Sequence, residues 1–342
     1  DIPMCDPLAG STIALVRGAS SYTGSVAGLN GTDNPGDTFN LLAQATDGDG
    51  TINSPLTTTI TLVSPTQIFR SIGAGNITAL ATGSANNLTI NSGVAFFANP
   101  LADNIGVGDA IQYDSDNNGS IDAVLFIHGR ISSTQYSVAS ADGSTPSDMA
   151  VADQDWSIFR AYTSLVNAEA GTENTGLDDA IENFDTWTGG RDIVASNEAW
   201  NFSAYADGAD GNAVTIGGWT TSYINTIKVF SPYLSSEVGI SQKHDGMWDD
   251  NKYYLTVNGN SETLTISSSF VIIDGIQIES STVNANPRRA IQFDYDTEDG
   301  IQIKNSIIRN GNEAQANRNG IVIGGSGIGN DAVIANLSLI HI

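Results

Sequence analysis

The chain is poor in positive charge. Thirteen Lys and Arg stand against thirty-eight Asp and Glu in 342 residues, a formal net charge of −25. Such a surface repels phosphate backbones, which argues against a nucleic-acid partner, and it attracts cations. Cysteine is almost absent: Cys5 stands alone, which excludes an internal disulfide framework. A secreted protein of this composition falls outside the disulfide-dense class and fits a bacterial or phage origin. No stretch approaches the roughly 20 apolar residues of a membrane span. There is no Gly-x-Ser-x-Gly elbow, no His-x3-His metal spacing and no phosphate loop. A leader peptide is missing too, and residue 1 is Asp. The expectation is a processed or cut N-terminus. At the other end, Leu337-Ser-Leu-Ile-His-Ile342 matches the translation of a common sequencing-library transposon end, so residues 337–342 are read as a cloning or assembly scar.

What is abundant is turn and strand chemistry. Thirty-six Gly, with only 15% charged residues, suit a β-rich chain with many turns. The pentapeptide Asp-Gly-Ile-Gln-Ile occurs at Asp274–Ile278 and again at Asp299–Ile303, and Asp331-Ala-Val-Ile-Ala335 is a looser echo. Self-similarity at such spacings points to an array of stacked units. The unit is strand-like: Ile276 and Ile278 fall on one face, Gly275 and Gln277 on the other.

Three regions precede the terminal scar. Residues 1–64 read as a small β-domain, from Ser20–Leu29, Phe39–Ala45, a turn at Asp47–Gly50 and Thr57–Val63. This order resembles the later strands of a fibronectin type III domain. Residues 65–160 read as a second small β-domain, with strands at Leu88–Ile90, Val94–Phe97, Ala110–Asp114, Ile121–Ile127, Gln135–Ala139 and Trp156–Arg160. Residues 161–336 read as the array. At its start Thr175-Gly-Leu-Asp178 has the form of a capping box, and Leu177, Ile181 and Phe184 make one helical stripe. A short amphipathic helix there would cap the open apolar end of the array. Ser164–Ala170 reads as a further helical turn. Strands follow at Asp192–Ala195, Trp200–Ala204, Ala213–Ile216, Thr226–Phe230, Tyr253–Val257, Leu264–Ile266 and Val271–Ile273.

Phe270–Ile278, Asp299–Ile308 and Asn319–Ile323 carry a resemblance to the right-handed parallel β-helix family, the pectate-lyase-like superfamily. The resemblance implies an all-β solenoid with a short N-terminal capping helix, preceded by small β-sandwich or β-barrel-like domains. It leaves activity open, because this fold hosts enzymes, adhesins and phage tail proteins. Asn305 is placed either in an inward amide ladder or on an exposed turn.

Four groups of side chains are candidate sites. Asp114, Asp116, Asn118, Ser120 and Asp122 put oxygen ligands at alternate positions around Gly119, the order of a Ca²⁺ loop. Leu125 stands where an EF-hand has its bidentate Glu, so the expected ion is structural Ca²⁺ in a hairpin loop; an Asp/Asn/Gly turn without an ion is the alternative. Asp294 and Asp296 share a strand face about 7 Å apart, a separation that suits an inverting glycosidase pair; the two could equally bind Ca²⁺ to neutralise an acidic sugar, and a solvated acidic face is the ordinary reading. Arg288, Arg289, Lys304 and Arg309, with Arg318, concentrate the basic charge. This resembles, in outline, the metal ligands and proton-abstracting base of β-helix polysaccharide lyases, while salt pairing with neighbouring acids is the ordinary reading. Trp219, His244, Trp248 and Tyr253 belong to an aromatic concentration in the early strands, which either stacks on sugar rings or fills the core. The functional expectation is an extracellular or cell-surface protein that attaches to a polysaccharide or cell-surface glycan without catalysis. The rivals are a carbohydrate-active enzyme, lyase or glycoside hydrolase, and a phage tail fibre or spike.

Overall fold

The structure of the chain is a computed structural model. It describes four strands within residues 12–61, and residues 64–341 apart from 150, 188, 259–260, 281–288, 294–298, 311–318 and 324–331. The fold is all-β with one short helix among the described residues. The chain divides into two compact units, Asp1–Pro65 and Thr66–Ile342. In the first, Thr12–Arg17, Ser20–Ser25, Thr38–Thr46 and Ile52–Thr61 pair antiparallel in chain order.

The second unit combines two kinds of sheet. Seven strands between residues 81 and 159 form an antiparallel sheet, in the order Ala81–Thr82, Trp156–Phe159, Ala110–Tyr113, Ala123–Ser132, Gln135–Ala139, Val94–Phe97, Leu88–Asn91. Its core runs through Leu88, Ile90, Phe97, Ile111, Leu125 and Tyr136. The remaining strands are parallel and belong to three sheets. Glu198–Tyr205, Ile227–Phe230, Val271–Asp274, Gln302–Lys304 and Val333–Ala335 lie in the first sheet. Ala209–Asp210, Tyr254–Val257, Gln277–Ser280, Ile307–Asn310 and Ser338–His341 lie in the second; Val214–Gly217, Leu264–Ser267, Arg289–Phe293 and Asn319–Ile323 lie in the third. From Glu198 onward the chain visits the three sheets in strict rotation.

Inward residues of all three sheets join one core. Val229 and Ile273 come from the first, Leu255 and Ile278 from the second, Ile216 and Ile266 from the third. Along Leu264–Ser267 and Val271–Asp274, buried and half-buried residues alternate, the period of two that a strand with one covered face requires. Residues Ser338–His341, within the stretch read as a scar, pair in register with Ile307–Asn310.

A strand absent from the sequence reading begins this unit. Thr66–Gly73 pairs parallel with Glu198–Tyr205 over eight residues and is the end strand of the first parallel sheet. Residues 74–197 are therefore an insertion between two neighbouring strands. Two buried arginines tie this insertion to the parallel sheet. Arg70 forms a fork with Asp185 at 2.7 and 2.8 Å, and its guanidinium lies 3.6 Å above the Phe126 ring. Arg160 reaches Asp109 at 2.8 Å and Asp207 at 2.8 and 2.9 Å, over the Tyr205 ring. Burial raises the Asp109 carboxyl, against the pull of Arg160. Burial opposes ionisation of Asp207 as well, but there the hydrogen bonds and charge of Arg160 prevail and hold it below the ordinary range.

The helix lies earlier than the capping box suggested. It spans Leu165–Ala170, with the Ser164 hydroxyl accepting from Asn167 N–H and Gly171 in the left-handed conformation closing it. Residues 175–184 make turns instead. The amide of Asp178, which a capping Thr175 would bind, donates to the Gln112 side chain at 2.8 Å, and Asn183 adopts φ 67°. The apolar stripe is still used, since Leu177, Ile181 and Phe184 pack on the shared core. The helix itself sits against the first strands of the second and third sheets: Leu165 N–H donates to Asp210, and Glu169 accepts from Gly217 N–H. Asp192–Ala195 is a second correction. It is a turn, because the Asp192 carboxylate accepts the amides of Val194 and Ala195.

Candidate functional site

The residues singled out in the sequence separate into three places. Asp294, Asp296 and Arg288 lie outside the described residues, as does Arg318. The other basic residues fall on three different sheets. Arg289 is in the third sheet, 3.7 Å from Glu262. Lys304 is in the first, 3.9 Å from Asp274. Arg309 is in the second, 2.8 Å from Glu279. Rotation of the chain among sheets disperses charges that are adjacent in sequence, so these three do not converge on one centre.

The aromatic candidates divide by burial. Trp219 is in the core, edge-on to Trp187 at 5.4 Å, with its indole N–H donated to Glu169. Tyr253 is fully buried and donates to Asp210 at 2.9 Å. His244 is buried and accepts the Gly246 amide; burial, then the charge of Lys243, lowers its pKa. Trp219 and Tyr253 belong to the shared hydrophobic core. Trp248 differs. It is half-buried on the excursion between Ile227–Phe230 and Tyr254–Val257, and its indole N–H donates to Asp250 at 2.7 Å.

Trp248 is held over the outer face of the second parallel sheet. The Arg309 guanidinium lies 3.7 Å from its ring, and the Tyr254 ring is 5.6 Å away at 59°. Thr256, Glu279 and Arg309 occupy one register across three strands. The Arg309 Nε donates to Glu279 Oε1 at 2.8 Å and the Thr256 hydroxyl to Oε2 at 3.2 Å. Gln277, from the first Asp-Gly-Ile-Gln-Ile copy, anchors the excursion: its amide accepts the Asp249 N–H at 2.7 Å and donates to the Asp249 carbonyl at 2.8 Å. Glu279 gave no signal in the sequence. Its partners lie 23 positions upstream and 30 downstream, spacings that only the lengths of the intervening excursions determine.

The calcium-loop residues occupy one end of three adjacent antiparallel strands. Asp114 is fully buried; its carboxylate accepts Asp116 N–H at 3.2 Å and Gly119 N–H at 2.5 Å. Burial alone would raise its pKa, but the backbone donors of the loop outweigh it and lower it. Carboxylate oxygens of Asp114, Asp116 and Asp122 lie within 4.8 Å of one another. The Asn118 side chain accepts the Ser120 amide at 3.0 Å, an Asx turn. A second trio shares the buried carboxylate, formed by Asp114, Asp153 and Asp155, also within 4.8 Å. Asp153 and Asp155 were missed in the sequence because they come from a strand end some forty residues on; the pairing of Trp156 with Tyr113 brings them there.

No family model, curated protein or solved structure matches the chain. The functional reading therefore rests on these side chains alone. Among the described residues no helix is long and apolar enough to cross a membrane.

Proposed function

We propose that the parallel strands of the second unit form a right-handed parallel β-helix in an extracellular, surface-attachment protein. This protein binds a polysaccharide or cell-surface glycan at Trp248, Tyr254 and Arg309 without altering it chemically. The rotation of strands among three sheets, each joined in parallel to its counterpart, supports the helical path. Crossovers that return to the same parallel sheet are almost always right-handed.

One observation carries the binding reading: a half-exposed indole held between a guanidinium and a second ring on an outer sheet face. Aromatic rings offer sugars a flat apolar face beside a polar rim. The nearby carboxylate is already engaged, Oε1 of Glu279 by Arg309 and Oε2 by Thr256. That arrangement suits a fixed polar surface rather than a group that exchanges a proton with substrate.

The test is a glycan and polysaccharide panel probed with the wild-type chain, followed by titration calorimetry on the best ligand. Trp248→Ala is expected to weaken binding at least tenfold while the melting midpoint stays within about 2 °C, since the ring is half-exposed. Absence of any retained glycan would overturn the reading. So would release of reducing ends or unsaturated uronates from pectate or alginate, which would make the protein an enzyme.

A further inference from the structure

We propose that Asp114, Asp153 and Asp155 hold a single Ca²⁺ ion that staples the 114–122 hairpin loop to the segment entering strand Trp156–Phe159. This differs from an EF-like loop acting alone. Its decisive ligands come from two separate parts of the chain, and it does not depend on the glycan reading.

The second observation beyond the acidic cluster is the state of Asp153. The residue is 8% exposed. One of its carboxylate oxygens accepts the amides of Gln154 and Asp155. The other, Oδ2, is shielded from solvent and has no hydrogen-bond partner. A buried anionic oxygen without a donor is strongly unfavourable and calls for a compensating group. No cationic side chain supplies it: none of the ion pairs among the described residues involves Asp114, Asp153 or Asp155. A metal ion would.

The spacing and chemistry select the ion. The three carboxylates offer oxygens within 4.8 Å of one another, and two ligands on opposite sides of a Ca²⁺ ion at about 2.4 Å each are separated by about that distance. Oxygen ligands without His or Cys disfavour zinc and copper. Asp155 is exposed, which leaves one side open to water, and Ca²⁺ completes a shell of six to eight oxygens readily with solvent. The backbone reinforces the junction. Asp114 N–H donates to the Asp155 carbonyl at 3.0 Å, and Asp153 exchanges both backbone hydrogen bonds with Leu88. Asp116 and Asp122 share Asp114 from the loop side and add negative potential, but Asp122 is already bound to the Ser115 amide and hydroxyl.

The experiment compares the full chain with Asp153→Asn and Asp116→Asn by calorimetric Ca²⁺ titration and by melting with Ca²⁺ or chelator. One ion per chain is expected, with a calcium-dependent rise in midpoint. Asp153→Asn should weaken affinity at least tenfold, and Asp116→Asn less than threefold. Hydrogen exchange on the wild-type chain gives a reading that needs no variant to fold. Calcium should slow exchange both in residues 114–122 and in residues 153–156. Protection confined to the loop, or affinity that follows Asp116 instead of Asp153, would overturn the staple. So would a wild-type chain that takes up no Ca²⁺ at millimolar concentration.

Discussion

The Asn305 side-chain amide donates to Asp274 Oδ1 at 2.8 Å, one step along the stack, and accepts from Asn336 at 3.2 Å on the next step. These residues line the corner between the first and second parallel sheets. Asn305 and Asn336 there adopt φ 51° and 53°, and Gly275 adopts φ 75° in the step before. Asn tolerates the left-handed conformation better than other residues with a Cβ, and its side chain adds the ladder. Asn305→Ala should therefore cost about 1–2 kcal/mol, combining backbone strain with the two lost side-chain hydrogen bonds. Asn305→Gly should cost less, because it loses only those bonds. Urea denaturation of both variants decides it; a Gly variant as damaged as the Ala variant would make the ladder, not the conformation, the controlling term.

The opposite end of the same strand imposes a different demand. Gly300 adopts φ 64°, and a Cβ placed there would overlap the Phe270 ring of the preceding step. Phe270 itself adopts φ 53° at the equivalent corner. Gly300→Ala should destabilise by about 1–3 kcal/mol through the combination of backbone strain and overpacking. Truncating Phe270 in the Gly300→Ala background should recover part of that loss, measured as a coupling energy in a double-mutant cycle.

These two corners explain what the sequence revealed and what it concealed. The Asp-Gly-Ile-Gln-Ile copies are 25 residues apart, yet Ile272 pairs with Gln302 and Gln302 with Val333, steps of 30 and 31. The first copy turns from the first sheet into the second; the later copy turns into the first sheet. Both corners need a left-handed residue followed by apolar alternation, so the same pentapeptide serves two places and misstates the period. Ile276 and Ile278 do share the buried face, but Gln277, expected outside, is fully buried because the 242–252 excursion folds over it. Thr66–Gly73 was hidden for a related reason. Arg70 interrupts its apolar pattern, and a buried arginine is tolerable there because distant partners, the Asp185 carboxylate and the Ala141 carbonyl, satisfy it. Local strand chemistry was legible; partners brought together by long excursions were not.

Arg160, inside the insertion, pairs there with Asp109 and reaches out to Asp207 just beyond the strand Glu198–Tyr205, and its side chain is fully buried. Removing one member leaves the others charged in a medium that solvates them poorly. Arg160→Leu should destabilise by about 3–5 kcal/mol. Asp207→Asn should cost less, since Asp109 still pairs and the Asp207 side chain reaches the surface with 10% exposure. Equilibrium denaturation of each single variant checks the order, and an Arg160→Leu chain as stable as wild type would remove the pair from the forces holding the insertion in place.

Glu169 gives the chain a pH dependence opposite to that of most carboxylates. It lies in the last turn of the helix Leu165–Ala170 and accepts from Gly217 N–H at 2.9 Å and the Trp219 indole at 3.0 Å. Burial nonetheless raises its pKa from 4.5 to about 7. A carboxyl whose folded pKa is raised stabilises fully below its unfolded value and loses that contribution as pH rises through the folded one. At about 1.4 kcal/mol per unit the ceiling is about 3 kcal/mol before solvent screening. His128 acts the other way, because burial, then the charge of Arg70, lowers it from 6.5 to about 4. Its contribution is complete above the unfolded value of 6.5 and fades as pH falls through about 4, so it opposes Glu169 only on the acid side. Between about pH 6.5 and pH 8 Glu169 acts without that opposition. The urea midpoint of the wild-type chain should fall across this window, and Glu169→Gln, which keeps an acceptor oxygen for both donors, should flatten the slope. Parallel slopes in the two proteins would show that Glu169 is already ionised throughout, and that general repulsion among the excess acids sets the trend.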